Sequence, residues 1–349
     1  MRVMVTGHLG YIGPSLIRAL RASGHFVVGY DTAFFRACLD SRSSEVVPDR
    51  EIVGDIRDID EKHFEGIDAV VHLAALSNDP LGDVVADQTH NINSLGTERC
   101  AAMAKRAGVK RFVFSSSCSI YGASGHISRP LDESADFAPV SAYGKSKAYG
   151  ETALAKLRDD KFLPIFLRNA TCYGVGPRNR LDLVVGNLGA HAHAAGVVRV
   201  MSDGTPWRPL VHIEDVAAAM RASVEADASD LPHNVFNIGR SDANYQVKDV
   251  AQAISDRIGK SSIEITGETG GDPRSYKVDF SRAANHLPGF KPQWTLERGV
   301  DELAHWLDPR PKAADTLFSS LYIRLKRIKD LRAEGKIDDA FRWGGASKA

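Results

Sequence analysis

The sequence is short of cysteine, of net charge and of long apolar runs. Four cysteines are spread through 349 residues, Cys38, Cys100, Cys118 and Cys172. None stands in a CxxC or other ligand spacing, which argues against a zinc knuckle or a dithiol redox centre and for free, buried thiols. There is no HExxH and no His/Cys cluster; His191 and His193 are two apart and cannot share a helix face, so no catalytic metal is expected. Lys plus Arg equals Asp plus Glu at 44 each, which gives no global pull toward nucleic acid or a membrane surface. No apolar stretch is long enough to cross a bilayer, and the first residues read as a strand rather than a signal peptide. A cytoplasmic location is expected. Repeats and low-complexity tracts are also missing, while 43% hydrophobic residues suffice for a large core.

The opening stretch organises what is there. Residues 2–6 (RVMVT) read as a buried strand, followed by Gly7-His8-Leu9-Gly10-Tyr11-Ile12-Gly13 and the helical spacing of Leu16, Ile17 and Leu20. A second apolar strand, 26–30, ends on Asp31. Three glycines suit a strand that turns sharply into a helix whose amide groups face a diphosphate. Asp31 can accept hydrogen bonds from both ribose hydroxyls and would repel a 2′-phosphate, so the expected cofactor is NAD rather than NADP.

Strand-like and helix-like runs then alternate: strands near 51–56, 69–75, 111–115 and 163–168, helices over 89–107 and 143–157. That rhythm predicts an α/β fold, a doubly wound, mostly parallel Rossmann sheet with ligands beyond the carboxyl ends of its strands. After Thr171 shorter elements suggest a smaller α/β substrate-binding lobe. The expected division is residues 1–171 with 205–240 returning to the sheet, 172–308 for the second lobe, and a helical tail over 309–349 whose one amphipathic helix runs from 315 to 334 through Leu317, Leu321, Leu325 and Ile328.

Two motifs carry chemistry. Tyr143 and Lys147 stand four apart on a predicted helix, hence on one face. A free phenol titrates near ten and is a weak base at neutral pH; a neighbouring ammonium favours its ionised form. Such a pair can take a hydroxyl proton while hydride leaves the same carbon for a nicotinamide. The serine run 115–117 follows a strand at the ligand edge, where a hydroxyl can donate to the reacting oxygen.

These motifs, with GDIRD, HLAALS, NINSLGT, SSSCSIYG, SAYGKSKAYGE, LRNATCYG, Asn187-Leu188, DGTPWRPLVHIEDVA and GFKPQW, make residues 1–307 resemble the extended short-chain dehydrogenases of the nucleotide-sugar epimerase/dehydratase family. The resemblance implies that Gly7, Gly10, Tyr11, Ile12, Gly13, Asp31, Asp55, Ile56, Leu73, Ala74, Ala75, Asn93, Ser115, Tyr143 and Lys147 serve NAD. It implies catalytic Ser117, Tyr143 and Lys147, and substrate contacts from Ser117, Thr171, Asn187, Arg208 and Arg274. The implied partner is a nucleotide-diphosphate sugar, and the implied assembly a homodimer through the helices 89–107 and 143–157.

Departures narrow the reaction. Dehydratases of this family carry Thr-Asp-Glu where this chain has Ser117-Cys118-Ser119, so the acid and base for expelling a hydroxyl are absent. The arginine expected just before Gly271-Asp272 is replaced by Thr269, and Arg274 stands close enough in sequence to substitute. The expectation is an NAD-dependent epimerase acting at C4. Its alternatives are a nucleotide-sugar dehydrogenase or keto-sugar reductase with the same residues, and a non-catalytic NAD-sensing module.

Overall fold

Strand alternation sorts the first half of the chain into two packed faces. In β1 (Arg2–Thr6) Val3 and Val5 join one core and Met4 the other; in β4 (Ala69–His72) Ala69 and Val71 face Val70 across the sheet in the same way. β5 (Arg111–Ser117) and β6 (Leu163–Asn169) repeat the pattern with Val113, Ile165 and Leu167 against Phe112, Phe114 and Phe166. Both faces are covered, which is why these strands read as continuous apolar runs. The computed structural model describes residues 1–77, 85–122, 129–267 and 274–344. Thr269 and Gly271-Asp272 lie outside them.

Among the described residues the main sheet has seven strands, all paired in parallel. With β2 (Phe26–Asp31), β3 (Arg50–Val53) and β10 (Val235–Ile238) its order is β10-β6-β5-β4-β1-β2-β3. The chain therefore departs in opposite directions from β1, and a crevice opens between β1 and β4 at their carboxyl ends. β10 enters the sheet beside β6, and the helix Ile213–Glu225 before it packs on helix Gly13–Ala22, where Glu214 accepts from Ser15 (2.7 Å) and Arg18 (2.8 Å).

The second lobe carries two small sheets. β7 (Thr171–Tyr173), β9 (Trp207–His212) and β11 (Asn244–Gln246) form one, and β8 (Val197–Val200) pairs with β12 (Ser262–Ile265) in the other. Helices Val184–Ala195, Val247–Arg257 and Leu296–Leu307 enclose its core, which includes Leu188, Ile254 and Leu303. His212 is buried here, stacked on Trp294 at 3.6 Å and bonded to Glu302 at 2.9 Å; it is a packing histidine.

Four elements differ from the sequence expectation, among them the strand expected over 69–75, which stops at His72. The strand expected over 51–56 stops at Val53, because Asp55 caps a short turn by accepting the Arg57 N–H at 2.8 Å. The helix over 89–107 has a wider, π-type turn at His90–Leu95 before the regular Gly96–Arg106. Finally, the single tail helix over 315–334 is two pieces. A short turn at Ala314–Leu317 buries Leu317 and Tyr322 nearby in the second lobe's core. The helix Arg324–Ala333 instead buries Ile328 and Leu331 with Ile56, Phe64 and Leu76 of the dinucleotide side. Helical spacing held across the break because each half has its own apolar stripe, facing a different lobe.

Candidate active site

One cavity of about 410 Å³ runs along the crevice between the lobes. At one end lie Gly7, Gly10, Tyr11, Ile12 and Gly13. Gly7 has φ +74°, and a Cβ there would sit 2.6 Å from the Ala74 nitrogen; at Gly13 it would overlap the His8 carbonyl. The loop is thus pressed against the exit of β4 and the start of its own helix. Helix Gly13–Ala22 has no side-chain cap at Ile12, so its first amides are left for a ligand. Asp31 lines the cavity, its carboxylate fixed by the Leu9 N–H (3.0 Å) and the Ala33 N–H (2.8 Å). Uncapped amides, a loop with no room for side chains and an immobilised acid fit a dinucleotide with free ribose hydroxyls.

Asp55 and Ile56 line the same end, as do Leu73, Ala74 and Ala75 beyond β4. Arg57 grips the Asp55 carboxylate with Nε at 2.9 Å and Nη2 at 2.6 Å. Asn93 stands behind this wall instead of in it: it accepts the Leu76 N–H at 2.8 Å and donates to the Leu76 carbonyl at 3.0 Å and to Ser146 at 3.2 Å. Its part is to hold Leu76, which does line the cavity.

Helix Ala142–Ala155 starts at Ser141, whose hydroxyl accepts the Gly144 N–H at 3.1 Å, and presents Tyr143 and Lys147 to the cavity. The Lys147 ammonium lies 5.7 Å from the Tyr143 ring centre and donates to the Ser115 carbonyl at 2.7 Å. Burial pushes its pKa down to about 7, although Glu151 acts the other way. Ser117 ends β5 with its hydroxyl oxygen accepting the Ser119 N–H at 3.1 Å, which leaves its own O–H to donate. Behind this row, Glu151 and Arg168 form a buried ion pair at 2.8 Å, and Ser116 donates to the same carboxylate. Asn169 donates to Ser115 Oγ at 3.0 Å. Cys118 points away into the core and donates weakly to the Arg168 carbonyl; burial raises its pKa well above the usual thiol value.

Thr171, Arg208 and Arg274 line the far end. Arg274 donates to Ser119 Oγ at 3.3 Å, and Arg208 to the Trp207 carbonyl at 2.9 Å and to the Arg274 carbonyl. Asn187 does not line the cavity: on helix Val184–Ala195 its amide donates to the Leu181 carbonyl at 3.2 Å. Among the described residues no group of His, Cys, Asp or Glu could hold a metal ion, and no helix is long and apolar enough to cross a membrane.

Residues 3–239 match the NAD dependent epimerase/dehydratase family. The chain belongs to that family. Among similar proteins is a UDP-glucose 4-epimerase of Mycolicibacterium smegmatis, 30% identical, the alignment covering 86% of this chain and 96% of the relative. A UDP-glucose 4-epimerase of Neisseria meningitidis is 28% identical over 90% of this chain and 99% of the relative. Solved structures agree. A Thermotoga maritima UDP-glucose 4-epimerase with UDP-glucose superimposes with a TM-score of 0.76 at 25% identity, over 88% of this chain and 99% of the other. A Bacillus cereus UDP-glucuronic acid 4-epimerase with its UDP-sugar and NAD gives 0.73 at 25%, again over 88% and 99%. Members of this epimerase/dehydratase family are NAD-dependent, and this chain has their mostly parallel, helix-flanked sheet.

Beyond the family motifs, the cavity wall includes Phe34, Phe35, Arg180, Asp182 and Arg324. Sequence reasoning assigned none of these. Arg180 and Asp182 lie in or just after the glycine- and arginine-rich run 174–180, a visible signal without a partner to interpret it. Arg324 lies in the tail, beyond the resemblance, and only the fold brings it here.

Proposed function

We propose that this chain is a nucleotide-sugar epimerase acting at C4. One observation carries the reading: Ser117, Tyr143 and Lys147 line a single cavity between a dinucleotide loop and a cationic far wall of Arg208 and Arg274. When bound there, NAD supplies a hydride acceptor that can also give the hydride back. The Tyr143 phenolic oxygen takes the proton of the sugar's 4-hydroxyl, with the Lys147 ammonium favouring the phenolate. Ser117 donates its O–H to the same sugar oxygen and steadies the ketone. Arg208 and Arg274 hold the diphosphate, so the keto-sugar can turn without leaving before Tyr143 returns the proton. Related epimerases act on UDP-glucose and UDP-glucuronic acid, which supports a UDP-sugar substrate here.

The test incubates purified protein with UDP-glucose, UDP-glucuronic acid and their 4-epimers. Interconversion with no net build-up of reduced cofactor supports the proposal; steady reduction of added NAD replaces it with a dehydrogenase.

Assembly as a cytoplasmic homodimer belongs to the same proposal. Leu95 and Tyr149 are exposed, and the helices Gly96–Arg106 and Ala142–Ala155 lie side by side, tied by the Tyr149 hydroxyl donating to Glu98 at 2.5 Å. Leu95→Arg is expected to yield monomers by light scattering; an unchanged mass places the contact elsewhere.

A further inference from the structure

The cavity faces two diphosphates in the proposed reaction, one on the cofactor and one on the sugar nucleotide. Its cations are grouped at two ends. Arg208 and Arg274 belong to the second-lobe wall beside Ser119. At the other end lie Arg180 and Arg324, with Arg178 beside Arg324 but outside the lining; all three are buried.

Their charges are not balanced. Arg180 is matched by Asp182, with two bonds of 2.9 Å, and Arg178 by Glu45 at 2.7 Å. Among the described residues Arg324 forms no ion pair. It donates to the carbonyls of Arg178 (2.7 Å) and Leu321 (3.3 Å) and to the Cys38 sulfur, and its guanidinium lies 5.1 Å from the centre of the Phe35 ring. Among the described residues the buried Nε and Nη1 of Arg178 have no hydrogen-bond partner. Burial, with Arg180 and Arg178 close by, brings the Arg324 pKa down to about 10 although Cys38 and Asp182 act the other way, so the charge persists at neutral pH. An excess buried cation at a cavity wall is costly until an anion joins it.

Position selects which anion. Phe35 follows Asp31 by four residues, on the loop that leaves the ribose-binding carboxylate, and both line the cavity with Gly10 and Tyr11. Between that carboxylate and the uncapped start of helix Gly13–Ala22 is where a dinucleotide carries its diphosphate. The rest of the tail fixes this arrangement. The Arg327 Nε donates to the Phe34 carbonyl at 3.2 Å, and the Trp343 indole N–H to the Thr32 carbonyl at 2.6 Å. Trp343 also packs on Phe34, at 5.3 Å between ring centres.

We infer that Arg324 is a binding residue for the cofactor's diphosphate, delivered by a C-terminal strap that closes over the loop after Asp31 and retains NAD. This rests on the cavity taking the dinucleotide, and wild-type binding tests that separately. The holoenzyme and its Arg324→Met variant are compared in two measurements: release of bound NAD, chased with ADP-ribose at low and high salt, and affinity for UDP by calorimetry. The expected result is NAD release about ten- to hundredfold faster in the variant, as for loss of a charge-assisted bond. The salt dependence should weaken, and UDP affinity should stay within about twofold. Arg324→Lys keeps the charge and is expected to restore most of the retention. Should Arg324→Met not fold, Arg324→Gln, which can still donate to the Arg178 carbonyl, takes its place with the same expected loss.

NAD release unchanged in the folded neutral variant overturns the inference. So does a loss of UDP affinity with NAD retention intact, which would assign Arg324 to the substrate's diphosphate. Wild-type protein that never binds NAD fails the cofactor reading instead.

Discussion

The two ends of the cavity are built by different means. The glycine-loop end is backbone: a loop at the carboxyl end of β1, open amides of a helix, and one fixed carboxylate. The arginine end is side chains on short elements, with Arg208 on β9 and Arg274 near the Ser119 turn. Backbone geometry tolerates few sequences, whereas a cationic wall can be assembled from arginines at many positions. The first end therefore defines a family, and the second sets what a member accepts.

The sharpest way to break this contrast is at the residue where both ends meet. Tyr143→Phe is expected to lower turnover by about 10²–10⁴-fold, the usual worth of a positioned proton acceptor. Full activity in that variant, measured as interconversion of UDP-sugars, would move the reading to a non-catalytic sensor.

Next in size are glycine substitutions that separate backbone strain from close approach. Gly7→Ala adds both a positive-φ penalty of about 1–2 kcal/mol and a Cβ that meets Ala74. Gly196→Ala adds the penalty alone, since nothing lies within 4 Å of its Cβ. Thermal unfolding should show the larger loss at Gly7, and NAD binding should fail only there. Equal effects would mean the loop has room to spare.

Asp31→Ser removes the carboxylate that disfavours a 2′-phosphate. The expected outcome is a preference for NAD over NADP reduced by about tenfold or more, read as the ratio of their dissociation constants.

The smallest effect concerns stability against pH. Burial holds Lys147 at about 7 against an ordinary 10.5, so between these values the folded protein binds fewer protons than the unfolded chain. Wild-type stability gains from this residue as pH rises through that window. Lys147→Met, which buries no charge, is expected to be relatively most stable at and below pH 7, with its advantage shrinking toward pH 10. Denaturant titrations of both proteins across that range check the sign; an advantage that grows with pH would refute it.

Legibility followed the same division. Gly7 to Asp31 could be read directly because strand period, glycine spacing and a terminal acid constrain one another. Tyr143, Lys147 and Ser117 were legible because their spacing fits one helix face and one strand end. Asn187 could not be placed from sequence, since a motif match does not reveal that the amide turns to the Leu181 carbonyl. Asn93 reads as a cofactor contact until its bonds to Leu76 are seen. The tail hid its role for another reason. Leu317 to Ile328 keep helical spacing, yet a period reports only that a face is apolar, not that two halves of the stretch bury it against different neighbours.

That division of the tail bears on how the protein matures. Arg324 to Trp343 follow every strand of the main sheet in the chain, so a ribosome delivers them after the strands that build the glycine loop and its crevice. On the inference drawn for Arg324, a nascent chain at that stage exchanges its dinucleotide freely until the strap has emerged and folded over it.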